Sequence, residues 1–215
     1  FPTGSRNIAF GLTALDSLDG SSPGGDNIAI GNAALTALTT ADYNTAIGSS
    51  AGTAITTGGN NVAVGSSALS ANTTGSRLTA LGQSALAANT TAAYNVAIGD
   101  RALLTNTGSA MNVAVGANAL YNFNVASGDG YNVAMGKNAG FALTTGTLNT
   151  LIGGLAGDSI TTAPSLIHSD CTRPRWPVAA TKISASRICF SIFFSKLFIL
   201  FFLKLFILFF LDEII

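Results

Sequence analysis

The sequence is poor in the side chains that carry charge and catalysis. Charged residues make up only 9% of its 215 residues, the formal net charge is zero, and there is one histidine. With so little charge, the electrostatic potential of the chain is weak, which argues against a nucleic-acid partner. One histidine and two widely spaced cysteines, Cys171 and Cys189, give neither a zinc-ligand pattern nor a disulfide framework. With Glu213 as the single glutamate and the aspartates scattered, no acid/base pair stands out. We expect no cofactor, no metal and no enzymatic activity.

A leader is also missing at the start of the chain. The sequence begins at Phe1, and no positively charged stretch followed by an apolar one is visible there. We expect a fragment or a processed product, in which an export signal is missing or was removed.

A repeated pentapeptide dominates the first three quarters of the chain. Asn44-Thr-Ala-Ile-Gly48 is one of nine copies, and the closing glycines lie 17 residues apart except for two steps of 20. A short fixed period indicates stacked structural repeats. Two columns of the repeat are nearly constant. The asparagines are Asn7, Asn27, Asn44, Asn61, Asn95, Asn112, Asn132 and Asn149, with Leu78 in the remaining copy, and the glycines are Gly11, Gly31, Gly48, Gly65, Gly82, Gly99, Gly116, Gly136 and Gly153.

The residues between asparagine and glycine predict a strand. Bulky apolar or β-branched residues lie one and three positions before each glycine and alternate with alanine, as in Val62-Ala-Val64. Neither strand face is polar, so we expect both to be buried. The glycine indicates either a positive φ or a backbone approach too close for a Cβ. We interpret the asparagines as a hydrogen-bonded ladder between coils, with a row of ligand-binding amides as the alternative.

A second apolar segment follows each glycine and predicts a return strand. Alanine stands three residues after every glycine, and the next position is leucine or glycine. Where it is glycine, as at Gly52, a large residue such as Ile55 appears three positions later; in several leucine coils that place is Asn72, Asn89 or Asn106. This predicts volume compensation inside the coil. The extra residues of the two long steps fall in exposed turns at 20–25 and 127–130.

At these repeats the chain resembles a known family. Asn-x-Ala-Ile-Gly-x-x-Ala is similar to the head repeat of trimeric autotransporter adhesins, the YadA-like left-handed parallel β-roll, over about residues 7–163. It is also similar to the Asn-Thr-Ala-Ile-Gly repeats of phage tail-fibre-like and surface proteins. The resemblance implies a homotrimer displayed at the cell surface, outer membrane-associated and extracellular, that adheres to host or matrix components.

Two other motifs give alternatives. Gly48-Ser-Ser50-Ala-Gly52 matches the nucleophile elbow of serine hydrolases, but the sister coils hold other residues and the histidine lies outside the repeats. Threonine recurs eight residues after the glycine in seven coils, which raises ice binding as a second hypothesis. These threonines are Thr39, Thr56, Thr73, Thr90, Thr107, Thr144 and Thr161.

The last fifty residues differ in composition from the repeats. Both cysteines, the tryptophan and the histidine lie there, and residues 188–211 are almost entirely apolar with a tandem eight-residue duplication. We expect an irregular linker at 164–187 and a helix over most of 188–211. Three interpretations of this tail stay open: translated non-coding or frame-shifted sequence, a membrane anchor, and a buried amphipathic element.

Together these patterns predict an all-β protein. Residues 1–163 form a parallel β-solenoid, or β-roll, of about nine 17-residue coils, followed by the linker and by an apolar tail at 188–215. The apolar surface of so thin a rod predicts oligomerisation. The predicted function is a non-enzymatic adhesin or structural head. The alternatives are ice or surface binding and a tail-fibre-like structural role, and membrane contact is expected only through 188–211.

Overall fold

Short parallel strands stacked along one axis make up the fold. The computed structural model describes residues 6–18 and 24–169, and these form strands but no helix. The strands are β1 Ile8–Phe10, β2 Ile28–Ile30, β3 Thr45–Ile47, β4 Val62–Val64, β5 Thr79–Leu81, β6 Val96–Ile98, β7 Ser109–Ala110, β8 Val113–Val115, β9 Gly128–Asp129, β10 Val133–Met135, β11 Thr150–Ile152 and β12 Ile167–Ser169.

The main sheet has ten parallel strands in chain order: β1-β2-β3-β4-β5-β6-β8-β10-β11-β12. Each residue pairs with its counterpart in the next coil, so that Ala46 lies beside Ala63 and Ile47 beside Val64. The predicted parallel β-solenoid of about nine coils is therefore confirmed. The second long step is also accommodated where expected, because β9 leaves the regular coil and pairs with β7 in a separate two-stranded ladder.

The two faces of the main sheet have different surroundings. The alanine in the middle of each strand points into the coil and is buried, from Ala29 to Ala134. The flanking residues, such as Ile47 and Leu81, point outward and stay partly exposed. Of the two faces expected to be buried, the single chain buries only the alanine face. Alanine suits the inner face because a coil of 17 residues encloses too little volume for larger side chains in every column.

The segment after the glycine is a series of tight turns, so the prediction of a return strand is wrong. Residues two and four positions after the glycine have positive φ, for example 57° at Ser67 and 52° at Leu69. These left-handed residues recur at every second position of the turn and bend the chain back on itself, which extended backbone cannot do. Hydrogen bonds still link neighbouring coils here, as from Leu69 N–H to Ala85 O at 3.0 Å.

The packing around the inner glycines shows volume compensation inside the coil. It is a tendency, which Leu18, Leu38 and Phe123 break, because each is buried in a coil that already holds a buried leucine. A Cβ on Gly52 would lie 2.9 Å from Ile55 Cδ1, so the isoleucine occupies the space that leucine fills in other coils. Leu151 shows the same exchange of side-chain volume at a third position, in the strand. It replaces the usual strand alanine and would meet a Cβ on either Gly140 or Gly157 at 2.8–2.9 Å.

The repeats continue slightly beyond the predicted boundary at residue 163. Strand β12 pairs in register with β11, and His168 takes the place that alanine has in earlier coils. The compact unit that contains the repeats ends at Asp170. The rest of the predicted linker and the apolar tail, including the helix expected over 188–211, lie outside the described residues. Within 6–18 and 24–169, no helix long and apolar enough to span a membrane occurs.

The packing at Gly52 predicts a recoverable double substitution. Gly52→Leu alone should overpack the coil and cost about 1–3 kcal/mol. Ile55→Asn alone should cost about 3 kcal/mol, because it leaves a cavity and buries an amide. Together they recreate the Leu69/Asn72 pair of the next coil, so we expect the double variant to regain about 2 kcal/mol over the sum. Urea unfolding of all four proteins measures this coupling, and simple additivity would contradict it.

Candidate functional site

The asparagine column forms a hydrogen-bonded ladder inside the rod, in two runs on either side of Leu78. Asn132 shows the full pattern: its Oδ1 accepts the Asn149 backbone N–H at 3.0 Å and the Asn149 side-chain amide at 3.0 Å. Its own amide donates to Asn112 Oδ1 at 3.1 Å and to Gly146 O at 3.0 Å. The predicted ladder is confirmed. From Asn27 to Asn149 these asparagines are at most 1% exposed, so their amides serve the fold and are not available to a ligand.

A leucine interrupts this ladder in the fifth coil. Asn61 Oδ1 still accepts the backbone N–H of Leu78 at 2.9 Å, but the Leu78 side chain has no acceptor for the next coil. A second buried ladder runs through the same region. Asn89 donates to Asn72 Oδ1 at 2.9 Å, and Asn106 donates to Asn89 Oδ1 at 3.4 Å. The amides that formally belong to the glycosylation sequons at Asn72 and Asn89 are thus enclosed in the coil.

The glycine column satisfies both conditions that the sequence suggested as alternatives. Its φ values lie between 121° and 139°, a region that side chains with a Cβ rarely adopt. A Cβ on Gly48 would also lie 2.6 Å from the carbonyl oxygen of Gly65. The glycines therefore set how closely consecutive coils can approach.

The outer sheet face is an extended apolar surface of the described residues. It consists of the two outward columns of the main sheet, one and three residues before each glycine. No polar side chain other than threonine occurs in these columns between β1 and β11. Ile30, Ile47, Leu81, Met135 and Ile152 remain clearly exposed. A soluble monomer rarely exposes a contiguous apolar patch of this extent, and such patches mark interaction sites.

Another outward-facing column of residues borders this face and was not recognised in the sequence. It lies immediately before each asparagine, and every member has a φ between 48° and 63°. In coils five to nine its residues are Arg77, Tyr94, Met111, Tyr131 and Leu148, and we call these five residues the left-handed ridge. They vary in type, so no sequence period marks them, and their conformation depends on stacking contacts such as Tyr94 N–H to Ser76 O at 3.2 Å.

Side chains of the ridge contact one another and the loop beside it. The Arg77 guanidinium lies 5.2 Å from the centre of the Tyr94 ring and donates to its hydroxyl at 2.7 Å. The Tyr131 hydroxyl donates to the Asp129 carboxylate at 2.9 Å. This hydrogen bond, together with the negative charge of Asp129, raises the pKa of Tyr131 above its ordinary value of 10.0. The hydroxyl thus stays a donor at neutral pH.

The threonines eight residues after the glycines, the first threonine column, use their hydroxyls in hydrogen bonds within the fold. Thr56 Oγ1 donates to Thr73 O and Thr73 Oγ1 donates to Thr90 O, each at 3.1 Å. Several of its hydroxyls thereby bond to the neighbouring coil. The second threonine of each pair is exposed, as at Thr57 and Thr74. A single exposed column is narrower than the flat two-column array that the ice-binding hypothesis requires.

The serine motif does not come together with the histidine. Ser50 lies in the turn after β3, whereas His168 lies in β12, seven strands further along the sheet. At about 4.8 Å per strand this is roughly 34 Å, far beyond proton-transfer distance. Among residues 6–18 and 24–169, no group of three or more His, Cys, Asp or Glu side chains is placed to hold a metal ion.

Comparison with known proteins adds no relative. The chain matches no protein-family model, no curated protein and no solved structure. Its architecture therefore stands on the stacking geometry described above.

The ladder predicts a large difference between two asparagine substitutions. Asn132→Ala removes a buried amide and leaves the Asn149 N–H and the Gly146 carbonyl without their partner, so we expect a loss of about 3 kcal/mol. Asn32→Ala, at an exposed turn position, should change stability by less than about 0.5 kcal/mol. Chemical unfolding measures both, and equal effects would contradict the ladder.

Proposed function

We propose that the protein is a non-enzymatic adhesive or structural head, a self-associating β-solenoid that presents its turn residues to a partner surface. The observation that carries this proposal is the outer sheet face. A rigid rod with one continuous apolar face and variable polar turns fits a module displayed at a surface. In such a module the apolar face is buried between subunits and the turns remain exposed. The resemblance to YadA-like adhesin heads supports a trimer and a position at the cell surface.

The size of the outer sheet face agrees with self-association. Nine steps of about 4.8 Å give a length of roughly 43 Å, and five residues of strand and flank give a width of about 16 Å. The product is roughly 700 Å², close to the 800 Å² per partner of a standard interface. Identical subunits are the simplest cover for it, because their repeats share one spacing and their apolar columns can stay in register over the whole length.

The turns after the glycines are the part of the rod suited to adhesion. They carry exposed side chains that change from coil to coil, among them Gln83, Asp100, Arg101 and Lys137. The stacked backbone fixes these turns, so they act as binding loops on a rigid scaffold. A tail-fibre-like structural role would use the same self-associating rod without this recognition step.

Self-association through the outer sheet face should be sensitive to isosteric substitution. Val62, Val96 and Val113 share a column with Thr45, Thr79 and Thr150, so Val→Thr at all three keeps the strand and removes apolar surface. We expect the association constant to fall about tenfold or more. Sedimentation velocity of the full chain at several concentrations measures it. Leu12→Thr, outside this face, is the control. A wild-type chain that stays monomeric at tens of micromolar would refute self-association.

Adhesion should depend on the turns and not on the sheet. Beads coated with the full chain should bind extracellular-matrix proteins or intact cells, and a combined Asp100→Lys, Arg101→Glu and Lys137→Glu variant should bind about tenfold less with an unchanged melting temperature. Binding no stronger than that of beads carrying an unrelated protein would contradict the adhesive role and favour a purely structural rod. Thermal hysteresis of the same sample would instead support ice binding.

A further inference from the structure

The residue types of the left-handed ridge are not explained by the fold. A left-handed backbone is unfavourable for residues with a Cβ, and asparagine, aspartate and glycine tolerate it best. Outside the ridge the same column holds Arg6, Asp26, Tyr43, Asn60 and Ser165, of which Asp26 and Asn60 are of the tolerant types. The ridge places Tyr94, Met111 and Leu148 at this position.

These ridge side chains also gain little from burial. Tyr94 is 45% exposed, Tyr131 is 52% exposed and Leu148 is 57% exposed. Exposed apolar side chains on a strained backbone contribute less stability than asparagine would in the same place. Left-handed non-glycine residues recur in every coil, in the turns as well as in this column, so the backbone alone marks no site. What distinguishes the ridge is its run of exposed tyrosine, methionine and leucine side chains beside Arg77, which the fold does not require.

The spacing of the coils turns the five ridge residues into one continuous surface. They lie in consecutive coils, about 4.8 Å apart, so the ridge is roughly 19 Å long. Tyrosine, methionine and arginine are the residue types enriched at protein–protein interfaces, and tyrosine and arginine supply most of the residues that dominate binding energy. Asn60 and Ser165 bound this run at coils five to nine, and Tyr43, an exposed member of the same column in coil three, lies beyond Asn60.

Arg77 gives the surface a charge at one end. Its hydrogen bond to the Tyr94 hydroxyl and its position over that ring fix the guanidinium. Within the described part of the chain the ion pair that forms is Arg6–Asp26, and Arg77 pairs with no carboxylate there. A guanidinium held in one orientation, with further N–H donors free, is suited to bind a carboxylate through two hydrogen bonds.

We propose that the left-handed ridge is a protein-binding surface whose partner lays a row of apolar side chains along Tyr94, Met111, Tyr131 and Leu148 and pairs a carboxylate with Arg77. This site is separate from the turns and from the outer sheet face, and it does not rest on the adhesive function proposed above.

The first test asks whether the ridge is needed for folding. The variant Tyr94→Asn/Met111→Asn/Leu148→Asn places at each site the residue that Asn60 already provides. We expect its melting temperature to equal or exceed that of the wild type, and its sedimentation to be unchanged. A fall of more than about 10 °C would show that the ridge is structural. Loss of self-association would assign it to the subunit interface. Either result overturns this proposal, while the adhesive proposal stands or falls by its own experiments.

The second test uses a displayed library of random 12-residue peptides, selected on the full chain. Enriched peptides should combine apolar residues with an aspartate or glutamate. They should bind the triple ridge variant at least tenfold more weakly and bind Tyr43→Asn normally. Tyr43 is the matched control, because it is an exposed member of the same column, 60% exposed with a φ of 61°, and Asn60 separates it from the ridge.

The charge pairing has its own control. Arg77→Gln and replacement of the peptide carboxylate by an amide should each weaken binding about tenfold, and both together no further. Arg6→Gln, in the same column in coil one but paired with Asp26, should have no effect. Failure to enrich any peptide, equal binding to the ridge variant, or binding that is insensitive to Arg77→Gln would each overturn the proposal. So would ridge-dependent binding of neutral glycans in place of acidic peptides.

Discussion

The structure depends on one constraint, that seventeen residues must return the chain to a point one strand spacing further along the axis. Hydrogen bonding between strands fixes that spacing at about 4.8 Å. The glycine column permits it, because any Cβ there would collide with the carbonyl of the next coil. The asparagine column satisfies the polar groups that such close stacking buries, by joining backbone and side-chain amides across coils. With both columns in place, every coil supports its neighbours, and the stability of the rod is shared along its length.

The small volume of the coil determines where the large side chains go. Alanine in the strand and leucine or isoleucine in the turns fill the interior completely, and Gly52, Gly140 and Gly157 appear where a neighbouring side chain already occupies the space. The larger β-branched residues of the strands have no place inside and form the outer sheet face. The proposed self-association thus follows from the same packing limit that shapes the core. A solenoid this thin buries one side of its sheet by itself and leaves the other side exposed.

In the left-handed ridge, the repeat fixes the backbone conformation but not the identity of the side chain. The fold prescribes backbone conformation at that column but leaves the side chain open, since Arg77, Asn60 and Leu148 all adopt the same φ. Asparagine suits this backbone better than the ridge residues do, but a change of side chain there does not disturb the ladder beneath it. The turns after the glycines have the same freedom. A binding surface on a repeat protein requires a rigid stacked backbone and side chains that vary from coil to coil.

The sequence by itself determined the period, the parallel stacking, the strand positions, the asparagine ladder and the exchange between Gly52 and Ile55. Each of these recurs every 17 residues, and a recurring local pattern can be read without knowing the rest of the structure. Only the tertiary structure decided which strand face lies inside, because both faces are apolar and volume alone distinguishes them. It also replaced the expected return strand with left-handed turns, and it revealed the ridge from Arg77 to Leu148. The conformation of those residues is imposed by hydrogen bonds from the neighbouring coil, which no local pattern contains.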